Sequence, residues 1–148
     1  MTNSLNQVMQ RNLQQLKKEI SAYNSEKDLW LMAGEIPNSA GNLCLHLCGN
    51  LQHYIGAVLG DSGYIRQRDA EFSTKDVPAA DLQTLIDTTM EAVSRTLKGF
   101  DENKLAENYP EEIFGTPMTT EYFLIHLTAH LGYHLGQINY HRRILSAN

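Results

Sequence analysis

Apolar residues recur every three or four positions along four separate stretches of the chain, with polar punctuation between them. In residues 4–23, Leu5, Val8, Met9, Leu13, Leu16, Ile20 and Tyr23 keep the i, i+3, i+4 rhythm of an amphipathic helix, with Gln, Lys and Glu between them. Glu35-Ile-Pro37-Asn38-Ser39 breaks the pattern, and Asn38 or Ser39 can cap the next helix. Residues 40–59 predict that second helix, built on Leu43, Leu47, Leu51, Tyr54, Ile55 and Val58 and ended by Gly60-Asp61-Ser62-Gly63. Pro78 opens a third, with Leu82, Leu85, Ile86, Thr89, Val93 and Leu97 on one face and Gly99 as its stop. Thr116-Pro117 reads as N-cap and first residue of a fourth helix running to about Leu145. Arg142 and Arg143 in its last turn suit the negative end of the helix dipole.

Four long helices with no convincing strand predict an all-α fold, a four-helix bundle forming a single domain over residues 1–148. The connections at 61–77 and 100–115 are polar, irregular and long for simple helix-to-helix turns. Such lengths let the chain cross the bundle, so an up-down-down-up order with the second and fourth helices adjacent is expected.

Composition narrows the function classes. The 148 residues are 42% hydrophobic and 20% charged, as in an ordinary globular domain. A net charge of −5 without any Lys/Arg run argues against a nucleic-acid partner. There is no apolar run near ~20 residues and no basic-then-apolar leader, so no membrane partner is expected and a cytoplasmic location is the default. Cys44 and Cys48, spaced i, i+4, could chelate a metal or bridge under strain. Two small buried hydrophobes in a reducing compartment is the preferred reading.

The chemistry concentrates in His126-Leu-Thr-Ala-His130-Leu-Gly-Tyr-His134-Leu-Gly-Gln137-Ile-Asn-Tyr-His141, which holds four of the six histidines. His126, His130 and His134 are spaced i, i+4, i+8, and each step of four turns a helix by only ~40°. Two histidines one turn apart can hold one metal ion from a single helix. With His126 at zero, the leucine face spans roughly 60–180°, His130 and His134 fall near ~40° and ~80°, and Gln137 near ~20°. The second helix repeats this. With His46 at zero, its apolar arc also spans roughly 60–180°, Asn50 follows at ~40°, and His53 lies ~20° outside. Cys44 and Cys48 lie ~160–200° away, too far round to share a metal with His46.

Ala129, Gly132 and Gly136 form a smooth side of the last helix. Two mid-helix glycines cost ~1 kcal/mol each relative to alanine. Close approach of another backbone, within the bundle or across a dimer interface, would compensate; the other reading is neutral drift.

At these residues the chain resembles the DinB/YfiT-like superfamily of four-helix bundles. The resemblance runs over nearly the whole chain and is carried by Asn42-Leu43-Cys44-Leu45-His46-Leu47-Cys48-Gly49-Asn50 and His130-Leu-Gly-Tyr-His134-Leu-Gly136-Gln137. Arg68-Asp69-Ala70-Glu71-Phe72 looks like one subgroup of it. The resemblance implies a divalent metal, zinc or nickel first with iron or copper also compatible, held by His46, His130 and His134. Members include thiol-dependent S-transferases of the bacillithiol and mycothiol types, a thiol-dependent isomerase and many proteins of unknown activity. Many relatives look dimeric, which implies a homodimer here.

Three neutral imidazoles leave a coordination position for a small-molecule partner, the mark of a catalytic rather than structural metal. Such a site could acidify water for hydrolysis or a low-molecular-weight thiol for S-transfer. Asn50 and Gln137 are candidates to orient ligands. His53 and His126 could relay protons, bind substrate or simply be solvated at the rim. No carboxylate lies on the histidine face of either helix, so an obvious general base is missing. That gap keeps a non-catalytic reading open: a stress-associated or binding module with a structural or vestigial metal.

Overall fold

The computed structural model describes residues 1–146. Five helices organise them: α1 (Thr2–Ser21), α2 (Ala40–Leu51), α3 (Arg68–Ser73), α4 (Ala79–Lys98) and α5 (Thr120–Ser146). Among the described residues there is no strand, only an isolated bridge between Asn108 and Thr119. The long helices form an all-helical bundle. α1 packs along α4 and α5, and α2 packs against the same two helices from the other side. Among the described residues, no helix is long and apolar enough to cross a membrane.

Leu5, Met9, Leu13, Leu16 and Ile20 bury the inner face of α1 as their spacing predicts, while Val8 faces out. Ser39 caps α2, accepting a bond from the backbone N–H of Asn42 at 3.2 Å. α2 is buried on nearly every side, because α3 covers the face that α4 and α5 leave. Cys44 and Cys48 are free thiols in that interior. A neighbouring bond to Cys48 and burial push the Cys44 thiol up, so it stays protonated and inert.

Three boundaries differ from the sequence reading. The second helix changes at Gln52–Ala57 into a π-helical turn, marked by the Val58 N–H donating to the His53 carbonyl five residues back. Within 61–77, residues Arg68–Ser73 form α3 instead of irregular loop. The last helix begins at Thr120, not after Thr116-Pro117. The 105–109 segment takes the backbone there: Tyr109 N–H bonds Met118 O, and Thr120 N–H bonds Glu107 O. Thr119 supplies the cap, its hydroxyl accepting from Tyr122 N–H at 3.1 Å.

The far end of α5 is tied to α1. Arg142 pairs with the buried Glu19 at 2.6 Å, and Asn139 donates to the same carboxylate at 2.6 Å. Arg142 therefore serves an inter-helix bond, while Arg143 lies over the Tyr140 ring. Among the described residues the glycine strip is open at Gly136, while Gly132 lies half-buried beside α1. A Cβ on Gly136 would meet nothing within 4 Å, and one on Gly132 would find only Asn12 Nδ2 at 3.9 Å.

Candidate metal centre

α2 brings His46 and α5 brings His130 and His134 to one point between the two helices. Each offers a ring nitrogen, and the three atoms lie within 4.8 Å of one another. His46 Nε2 and His130 Nε2 are 3.3 Å apart. Two ligands bound at ~2.1 Å to a tetrahedral ion sit about 3.4 Å apart, so that pair already has the required spacing. The His130 and His134 rings meet edge to face with centroids 4.5 Å apart. Among the described residues, no other group of three His, Cys, Asp or Glu converges this way.

Two of the three rings are held by a partner on the nitrogen turned away from the cluster. His46 Nδ1–H donates to Glu71 Oε1 at 3.1 Å, leaving the Nε2 lone pair toward His130. Arg66 Nη2 lies 3.4 Å from the same Nδ1, a contact between donors that carries no bond once the carboxylate claims the proton. His134 Nδ1–H donates to Gln137 Oε1 at 2.7 Å, freeing its Nε2. A carboxylate or amide behind a histidine is the usual device for fixing tautomer and orientation in a metal ligand.

Glu71 is the group that sequence reasoning missed. It comes from α3, and the chain folds locally to deliver it. Asn42, one turn before His46, donates from Nδ2 to the backbone carbonyls of Glu71 and Thr74 at 2.9 and 2.8 Å, pinning α3 onto α2. Arg66 grips the carboxylate with two bonds of 2.9 Å, from Nε to Oε2 and Nη2 to Oε1. Gly49 makes room, since a Cβ there would collide with the Glu71 carboxylate. The Phe72 ring packs on His46 at 4.9 Å.

The electrostatics favour neutral imidazoles at His130 and His134 near an ionised carboxylate. Burial, then the neighbouring rings of His134, His46 and His126, lowers His130 to about 4. Burial also lowers His134, against the opposing bond from Gln137. Burial pushes Glu71 up, but the bonds from His46 and Arg66 outweigh it and hold the carboxyl below its ordinary range. Among the described residues, the buried side-chain atoms without a hydrogen-bond partner are His130 Nδ1 and Asn50 Oδ1. One belongs to the triad and the other sits one turn after His46. Protonated, three such rings would repel; neutral, they present lone pairs to a shared centre, which is the chemistry of a cation site.

The remaining histidines go elsewhere. His53, at the start of the π-turn, pairs with Glu111 at 3.3 Å. His126 is stacked on Phe123 at 5.9 Å and lies 4.9 Å from Phe114, with its nearest triad ring, His130, at 6.1 Å. His141 Nδ1 lies 2.7 Å from the Tyr23 hydroxyl and its Nε2 2.9 Å from the Leu31 carbonyl, so both ring nitrogens are engaged in the fold.

An all-helical bundle with three convergent histidines on neighbouring helices defines a class of protein: a helical scaffold with a site able to hold a metal ion. Residues 2–148 match the family described as "protein of unknown function (DUF1572)", and the chain belongs to that family. No curated protein matches it.

Proposed function

We propose that this protein binds one divalent metal through His46, His130 and His134, zinc or nickel first among candidates, and uses it in a transferase or hydrolase reaction. The observation that carries this reading is the pair of Nε2 atoms 3.3 Å apart with a buried carboxylate fixing the His46 ring from behind. The metal's contribution is Lewis acidity, which acidifies a water or a low-molecular-weight thiol at neutral pH. The chain's own contribution is positional. Glu71 and Gln137 fix two ligand rings, Arg66 keeps Glu71 ionised, and Phe72 shields His46 from water.

The resemblance of the two histidine motifs to the DinB/YfiT-like superfamily supports thiol S-transfer or hydrolysis at this site and goes with an up-down-down-up chain order; a cytoplasmic location is part of the same proposal. The resemblance also goes with a homodimer. The exposed side of α5, with Tyr122, Ile125, Ala129 and Gly136, supports that assembly, because nothing among the described residues covers it.

Metal analysis of protein purified without a histidine tag is the first test. Wild type should carry about one equivalent, and His46→Ala, His130→Ala and His134→Ala should each lose most of it. A conjugation assay pairing low-molecular-weight thiols with 1-chloro-2,4-dinitrobenzene, beside a panel of hydrolysable esters, then tests the chemistry. Metal-dependent turnover supports the enzyme. No turnover across both panels would favour a non-catalytic metal-binding module.

A further inference from the structure

A cavity of about 530 Å³ opens between the Glu35–Asn38 segment and the C-terminal half of α5. Its volume is that of small-molecule pockets, which run ~300–1,000 Å³. His134 and Gln137 form part of its wall, so it ends against one member of the histidine triad and the amide that orients it. Ile36, Leu43, Tyr133 and Tyr140 make the rest mostly apolar, with Asn38 and the tyrosine hydroxyls as scattered polar points.

Its charges are one-sided. No Lys or Arg lines the cavity, and Glu35 is its acidic group. His141, also in the wall, has both ring nitrogens committed to Tyr23 and Leu31, which leaves neither free for a ligand. Among the lining side chains an anionic ligand would meet a carboxylate and no Lys or Arg, whereas an uncharged one loses nothing.

We infer that this cavity is the substrate pocket of the histidine site and takes an uncharged, largely apolar small molecule of one or two rings. The inference rests on the metal-centre reading, because adjacency to His134 is what makes the cavity a reaction pocket. It assigns the cavity to the electrophile or hydrolysable substrate, not to a thiol bearing acidic groups.

The test uses two probes that share one ring skeleton: N-phenyl-1-naphthylamine, which is uncharged, and 1-anilinonaphthalene-8-sulfonate. Metal-free wild type should bind the uncharged probe saturably at one site, at least tenfold tighter than the sulfonate. Glu35→Lys, on an exposed segment, should narrow that ratio at least fivefold by strengthening the sulfonate. Equal binding of the two probes, or none of the uncharged one, overturns the inference. So does an affinity that falls as protein concentration rises, which would mean that a second copy covers the cavity. Adding Ni²⁺ should quench the bound probe while Zn²⁺ does not, since a paramagnetic ion at the triad would sit beside it. Intact Ni²⁺ binding by calorimetry without quenching detaches the cavity from the site and also overturns it. Failure of the metal reading would show separately, as no Ni²⁺ or Zn²⁺ uptake in calorimetry, with the metal-free probe preference unaffected.

Discussion

Glu71 Oε1 lies 3.1 Å from His46 Nδ1, and both side chains are more than nine-tenths buried. A buried carboxylate with that partner does two things: it fixes which ring nitrogen faces the triad, and it raises the basicity of that nitrogen. Glu71→Gln keeps the shape but can turn an amide N–H toward Nδ1, inviting the opposite tautomer. Metal affinity should fall ~10–100-fold, read by competition with a chelator, with the helical circular dichroism unchanged. An affinity within threefold of wild type would remove Glu71 from the site's machinery.

Gly49 tests the same relationship from the other side. Alanine is the better helix former by ~1 kcal/mol, so on propensity alone Gly49→Ala should stabilise α2. Its Cβ would instead occupy the space of the Glu71 carboxylate. The expected result is weakened metal binding that resembles Glu71→Gln, without loss of helix content. A variant that is more stable and binds metal normally would show that α3 can move aside freely.

The convergence of the three histidines was legible because it depends only on helical periodicity: His130 and His134 are one turn apart, and a helix wheel places His46 at the edge of its own arc. Glu71 was not, because its path to His46 runs through a loop whose course depends on tertiary bonds from Asn42 and Arg66. Arg68-Asp-Ala-Glu71-Phe72 carried a signal only as a segment resembling one subgroup, with no periodicity long enough to announce a six-residue helix. The π-turn at Gln52–Ala57 was illegible for a related reason. A π-turn leaves no mark in the spacing of apolar residues, yet it re-aims every side chain within it. The start of α5 went to the stronger local signal, Thr116-Pro117, until bonds from residues 105–109 claimed that backbone.

Cys44 and Cys48 should be dispensable for metal. They are free and buried, outside the converging group of histidines. Cys44→Ala with Cys48→Ala should keep full metal content by elemental analysis, at a stability cost of about 1–2 kcal/mol for the two small cavities. Loss of the metal from a folded double variant would mean that the thiols ligate it.

Glu19 gives the fold a pH dependence separate from the site. Burial pushes its carboxyl up, but the bonds from Arg142, Asn139 and Gln15 outweigh that and leave it below its ordinary value. A carboxyl lowered on folding contributes stability above its unfolded pKa, near ~4.3, and the contribution is lost as pH falls through the folded value. Glu19→Gln should therefore cost about 1–3 kcal/mol in urea unfolding at pH 6–8. The gap between variant and wild type should close below about pH 4. A gap that stays constant down to pH 3 would assign the effect to packing instead of charge.

Gly136 decides the assembly. Its position on α5 is exposed, and a side chain built there meets nothing within 4 Å in its own chain. Gly136→Leu therefore cannot overpack the bundle, which frees the substitution from the ambiguity that a buried strip would carry. In a monomer it should raise stability by up to ~1 kcal/mol, from helix propensity alone. In a homodimer that joins two copies along Ala129, Gly132 and Gly136, the bulk would hold the helices apart. Sedimentation should then shift from dimer to monomer while helicity persists. Isologous pairing places the same residue twice in the interface, so one substitution delivers two clashes and the shift should be nearly complete at micromolar concentration. Wild type that sediments as a monomer at high micromolar concentration would end the dimer reading before the variant is made.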